Sequence, residues 1–263
     1  YAVKDNGLYI NLFNSNTVNV KVGKQNVTLT QQSNYPWDGD VTLKIDNGTG
    51  KYTLNIRIPG WVKGEVVPSD LYTYADGKRL GYTIKVNGQD VKSELKQGYF
   101  VIDRTWKKGD KVDIHFDMEP RIVRANGQVA ADKGRVAIER GPIVYCAEHP
   151  DNQCDVLSVL INQEPQFQLS TKDIMQTTVQ TLTTDAQTLT FDQQGKLQTH
   201  DERLVLIPYY AWAHRGPGKM TVWLPQDLNA TTPAQPASIA SESKVSGSKR
   251  NLPAISSIND RLL

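Results

Sequence analysis

Residues 51–60 read KYTLNIRIPG. Leu54, Ile56 and Ile58 fall on one side of this stretch, and Thr53, Asn55 and Arg57 on the other. A period of two belongs to an extended strand, whose side chains alternate between faces, whereas helical apolar positions recur three and four apart. The stretch therefore predicts a half-buried antiparallel strand with Leu54, Ile56 and Ile58 inward, stopped by Pro59 and Gly60. Working outward, VTLKID (41–46) places Val41, Leu43 and Ile45 on one face, and KVDIHFDM (111–118) places Val112, Ile114, Phe116 and Met118 inward. His115 is then left on the wet face between Asp113 and Asp117, an ordinary solvated strand surface.

Turn residues fall where a stack of hairpins needs them. Asn47-Gly48, Asn87-Gly88 and Lys108-Gly109-Asp110 each separate two strand-like runs. One short helix or a loop decoration is expected over 69–77, with Ser69 able to cap LYTYA and Gly77 to stop it. The alternation breaks around MEPRIVRANGQVAADKGR (118–135) and resumes at RVAIERGPIVYCAE (135–148), so a domain boundary is expected near residue 122. Beyond Leu224 the composition shifts to Pro, Thr, Ser and Ala, as in an interdomain linker. Short strands with Gly, Pro and Asn turns, and no alternating helices, predict an all-β chain of two consecutive antiparallel β-sandwich domains, 1–122 and 123–225. Residues 226–263 are expected to hold a linker and the start of a further domain.

Composition narrows the function. A net charge of +2, from 30 basic and 28 acidic residues without long runs, offers no basic stripe for nucleic acid or an anionic membrane. No apolar run approaches a membrane span, and YAVKDNGLYI shows neither a signal peptide nor an initiator Met, so a piece of a longer protein is expected. Cys146 and Cys154 allow a bridge in an oxidising compartment, but the strand-like IVYCAE favours a buried free thiol at Cys146. The four histidines are scattered, and no Cys/His spacing makes a zinc site.

The chain lacks a P-loop, a GxSxG elbow, HExxH and a Gly-rich strand-to-helix turn. A glycosidase needs only two carboxylates about 5 to 9 Å apart, which sequence spacing does not reveal. Asp38, Glu139, Glu148 and Asp151 are the candidates, with turn or salt-bridge roles as the plainer expectation. Aromatic faces beside polar groups are what a sugar needs, which singles out Trp37 with Asp38 in YPWDG (35–39), and Tyr209, Tyr210 and Trp212. Trp106, Trp212 and Trp223 sit in strand patterns and are expected to pack. In YPWDG, Pro36 and Gly39 are expected to form a hairpin corner.

Taken in order, GLYINLFNSNTV, LTQQSNYPWDGDVTLKI, LNIRIPGWV, GYFVIDRTWKKGDKVDIHFDM, PRIVRANGQV, GRVAIERGPIVYCAEHPDN and LIPYYAWAHRGPGKMTVWLP resemble the C-terminal half of glycoside hydrolase family 127 over residues 7–225. The resemblance implies a middle and a C-terminal β-sandwich, jelly-roll-like, preceded by an N-terminal (α/α)6 barrel. It implies retaining hydrolysis of β-L-arabinofuranosides or related plant glycans by a barrel cysteine held on zinc with neighbouring Cys and Glu. This chain has no adjacent cysteine pair, so neither Cys146 nor Cys154 takes a catalytic or metal role, and no cofactor is expected within it. The expected partners are the barrel and plant cell-wall glycans, with Trp37 and Asp38 facing the barrel or the rim of its pocket. An exported bacterial parent would place the chain in the periplasm or outside the cell. A carbohydrate-binding module using surface aromatics is the alternative. The tail from ASIASESKVSGS to PAISSINDRLL (237–263) is similar to the start of a discoidin-like domain.

Overall fold

The computed structural model describes residues 1–236; the expected further domain, at 237–263, lies outside the described residues. Among the described residues there is no α-helix, only strands and short 3-10 turns. Gly50–Arg57 forms the centre of a five-stranded sheet, flanked by Gly7–Ile10 on one side and Tyr99–Trp106 on the other. The facing six-stranded sheet runs in the order Asn16–Val22, Gln25–Ser33, Asp40–Asn47, Lys111–Phe116, Tyr82–Val86 and Gln89–Asp90. The inward positions read from the alternation fill the space between them: Leu54, Ile56, Ile58, Val41, Leu43, Ile45, Val112, Ile114 and Phe116 are all buried in one core.

Two local expectations are corrected. Gly7–Ile10 runs parallel to Gly50–Arg57, because after Ile10 the chain builds three strands of the facing sheet before it returns, and such a crossover permits a parallel re-entry. Asn55, expected on the wet face, is buried, its amide 3.1 Å from Thr53 Oγ1 and donating to the Leu8 carbonyl at 3.4 Å. Gly7 permits that closeness, since a Cβ there would stand 2.8 Å from Thr53 Oγ1 and 2.9 Å from the Asn55 amide.

No helix forms over 69–77: the stretch is a loop that carries an edge strand, Tyr72–Tyr74, paired with Pro120–Ala125 through Val123 opposite Tyr74. Its alternating Tyr-Thr-Tyr suits a pleated surface better than a helix, and pairing within a larger sheet overrides a weak cap. That sheet, the third, has ten strands, seven of them in a path that runs from Val159–Ile161 through the long strands Thr177–Phe191 and Leu197–Pro208 to Ile143–Glu148, Arg135–Arg140, Pro120–Ala125 and Tyr72–Tyr74. Lys111–Phe116 belongs to the second sheet and Pro120–Ala125 to the third, so the chain passes between sandwiches at 117–119, just ahead of position 122.

One face of the third sheet carries its own core, with Ile138, Tyr145, Leu182, Leu204 and Leu206. Val123 and Ala137 instead join the first core, so the two sandwiches share apolar contact. The segment after Leu224, whose composition suggests a linker, lies on the second sandwich as far as Ala234. There Gln226 donates to the Asn162 carbonyl at 2.7 Å, and the Ala234 amide to that of Leu189 at 2.8 Å.

Candidate functional site

YPWDG is a corner, as its Pro and Gly predict. The Trp37 amide donates to the Asn34 carbonyl at 2.9 Å, and Asp38 accepts from the Asp40 amide at 3.1 Å. Gly39 lies against the strand Lys111–Phe116, where a Cβ would stand 1.9 Å from the Phe116 carbonyl oxygen. The two aromatic rings part ways. Tyr35 turns inward against Phe13, edge-on at 5.4 Å, and its hydroxyl accepts from Trp61 Nε1 at 3.2 Å.

Trp37 turns outward and stays 41% exposed, its indole Nε1 donating to the Tyr210 hydroxyl at 2.7 Å. The structure thus brings together two aromatic segments that lie far apart in sequence. Arg140, nine-tenths buried, completes the junction by donating to the Trp37 carbonyl at 2.9 Å and to Gln180 Oε1 at 2.7 Å. Tyr209 and Trp212 stack at 6.1 Å and 27° on the loop that carries Tyr210. Trp106 is fully buried, as expected, with Nε1 on the Tyr52 carbonyl at 3.0 Å, while Trp212 and Trp223 are half-buried.

The aromatic loop is fastened by two of the candidate carboxylates. Arg215 bonds Asp151 Oδ1 at 2.7 Å and also meets Glu148, whose Oε1 accepts from the Ala213 amide at 2.9 Å. Lys172 adds a 2.6 Å bond to Asp151. Burial pushes the Asp151 carboxyl up, but the hydrogen bonds from Arg215 and Lys172 outweigh it and hold the group below its ordinary range. Both acids are committed to cations and backbone, so they form an ion cluster and not an acid and nucleophile pair. Arg140 and Arg215 were missed as organising residues; a signal existed, since each stands directly before Gly-Pro, in RGP and HRGP, and arginine beside a strand is rarely buried without a partner.

Glu139 lies elsewhere, at the floor of a cleft of about 560 Å³ lined by Asn11, Tyr35, Arg57, Trp61 and Tyr99 among others. It is 8% exposed; its Oε2 accepts from the Tyr74 hydroxyl at 2.8 Å, and its other oxygen has no partner among the described residues. Burial is the largest influence on this carboxyl, pushing it up to about 7 against the opposing pull of Tyr74 and Arg121. Arg121, whose guanidinium carbon lies 3.4 Å from the Tyr74 ring centre, spends its own donors on Asp76, the Trp61 carbonyl at 3.1 Å and the Lys78 carbonyl at 2.8 Å. It therefore holds the loop behind the cleft, and among the described residues Glu139 has no ion pair.

His115 is exposed and bonds Asp40 at 2.6 Å across the strand pair, with Asp117 at 3.4 Å; Asp113 turns instead to Thr42 and Lys111. Cys146 is fully buried, its thiol pushed up to about 12 chiefly by burial, and it is not bonded to Cys154. Among the described residues no three His, Cys, Asp or Glu side chains gather as metal ligands, and these two thiols do not fit the adjacent-cysteine donor set of a zinc centre.

Comparison with known proteins gives the site its context. The model of the β-L-arabinofuranosidase GH127 middle domain matches residues 7–118, and that of the glycoside hydrolase family 127 C-terminal domain matches residues 120–225. The non-reducing end β-L-arabinofuranosidase of Bifidobacterium longum subsp. longum is 31% identical over 246 residues, covering 85% of this chain and 34% of that protein. A GH127 β-arabinofuranosidase of known structure is 55% identical at a TM-score of 0.85, over 88% of this chain and 36% of that one. The GH127 β-L-arabinofuranosidase from Geobacillus stearothermophilus T6 is 30% identical at a TM-score of 0.72, over 84% and 34%. The chain spans about a third of the length of these relatives. With both sandwiches matched in order, it belongs to glycoside hydrolase family 127, of which it carries the middle and C-terminal domains.

Proposed function

We propose that this chain is the non-catalytic β-sandwich region of a family 127 glycosidase acting on β-L-arabinofuranosides or related plant glycans, and that it supports an N-terminal (α/α)6 barrel. The observation that carries the proposal is the fate of the candidate carboxylates. Glu148 and Asp151 are tied to Arg215, Asp38 caps the turn at Asp40, and Glu139 is isolated from all three on the floor of its own cleft. Retaining hydrolysis needs an acid and a nucleophile flanking one bond, and no two of these groups are free to do so. On this reading the zinc and its cysteine ligands belong to the barrel, and Trp37 and Asp38 face the barrel or the rim of its pocket.

The test is turnover of an aryl β-L-arabinofuranoside by the purified chain, with and without added zinc. No release of the aryl group is expected under either condition. Hydrolysis that survives repurification and is lost when Glu148 or Asp151 is replaced would overturn the proposal.

A further inference from the structure

The Glu139 cleft holds hydrogen-bonding groups that have no partner among the described residues. One is an acceptor: the second oxygen of Glu139, on a side chain more than nine-tenths buried. Two are donors. The Arg57 side chain makes no hydrogen bond or ion pair among the described residues, and Asn11 uses only its carbonyl oxygen, which accepts from Tyr99 at 2.9 Å. The half-buried rings of Tyr35 and Tyr99 supply apolar surface in the same cleft.

An unpartnered acceptor and unpartnered donors, with aromatic surface between, call for a ligand whose adjacent groups both give and take hydrogen bonds. A bare cation would have to share the cleft with Arg57 and Lys63, and an anion with Glu139 and Glu65. A neutral polyol meets neither penalty, and the volume is ordinary for a small-molecule site. We propose that this cleft binds a neutral sugar ring, with hydroxyl groups donating to Glu139 and accepting from Arg57 and Asn11. The occupant is a monosaccharide unit or the end of a short oligosaccharide.

A hydroxyl donor on the free oxygen stabilises the ionised carboxylate, so sugar binding near neutral pH releases a proton from Glu139. The charged and titratable groups around Glu139 are Tyr74 and Arg121, which act on it directly, and Tyr35, Arg57, Lys63, Glu65 and Tyr99, which line the same cleft.

The experiment titrates the purified chain with L-arabinose and arabino-oligosaccharides, with glucose and cellobiose alongside. It is followed by amide NMR and by calorimetry in buffers of different ionisation enthalpy. Saturable shifts at Gly60, Gly98 and Tyr99 are expected with at least one sugar, together with proton release near pH 7. Glu139→Gln should weaken binding at least tenfold and abolish the proton release. Arg57→Met, on an exposed side chain with no fold role, should weaken binding while the melting temperature stays unchanged. No saturable shift with any sugar, shifts confined to Trp37 and residues 209–212, or equal binding by both variants would each overturn the proposal. Because the titration uses this chain alone, its outcome is independent of whether the chain supports a barrel.

Discussion

Trp37 of the first sandwich donates its indole N–H to the hydroxyl of Tyr210 in the second, at 2.7 Å. Both side chains are partly exposed, so the bond competes with water and contributes about 0.5–1.5 kcal/mol. Trp37→Phe and Tyr210→Phe each remove it while keeping a ring. A double-mutant cycle in urea should show coupling of that size, the second substitution costing little once the first is made. Fully additive losses would mean that this bond contributes nothing and that the sandwiches are joined only by the Arg140 bond and the shared apolar contact.

Gly39 makes the tightest backbone approach in the corner. A methyl group 1.9 Å from the Phe116 carbonyl oxygen cannot be accommodated by rotating a side chain, because the obstacle is backbone. Gly39→Ala should therefore cost about 3 kcal/mol or more, at the upper end of overpacking effects. Gly127→Ala is the matched control: it meets nothing within 4 Å and should stay within about 0.5 kcal/mol of the parent in the same chemical denaturation series.

The Arg215 cluster predicts a response to acid. Asp151 is held below its ordinary pKa of 3.8, so its contribution to stability is present above that value and is lost as pH falls through the lower folded-state value. Arg215→Ala strands two buried carboxylates and should cost about 3–5 kcal/mol at neutral pH. Below pH 4 the penalty should shrink as the stranded acids take up protons. Melting curves from pH 3 to 7 check this; a penalty that is flat with pH would mean that the loop is held by its aromatic stacking instead.

The strands of the first sandwich were legible because most have one wet and one dry face, which imposes period two on Val41, Leu43, Leu54, Ile56, Val112 and Ile114. Arg135–Arg140 and Ile143–Glu148 in the second are instead covered on both faces and are buried nearly throughout. What alternation does not encode is which strand lies beside which. The parallel pairing of Gly7–Ile10 and the capture of Tyr72–Tyr74 by the second sandwich depend on partners distant in sequence. The candidate site was legible in part for the same reason. Residue types marked out Trp37, Tyr210, Glu139, Glu148 and Asp151, but nothing local in the sequence indicates that one arginine ties two of these acids together while another acid is left alone in a cleft.

Glu139 supplies the opposite pH dependence. Its folded-state pKa of about 7 lies above the ordinary 4.5, so the native state holds a proton that the unfolded chain gives up. The contribution is fully present below pH 4.5 and is lost as pH rises through 7, a change of roughly 3 kcal/mol for a shift of this size. Glu139→Gln keeps an acceptor for the Tyr74 hydroxyl and removes the titration. The variant should therefore match the parent near pH 5 and exceed it in stability by up to about that amount at pH 8. Parallel stability curves for the two proteins from pH 5 to 8 would show that this carboxyl ionises alike in both states, and that the cleft floor is wetter than its burial indicates.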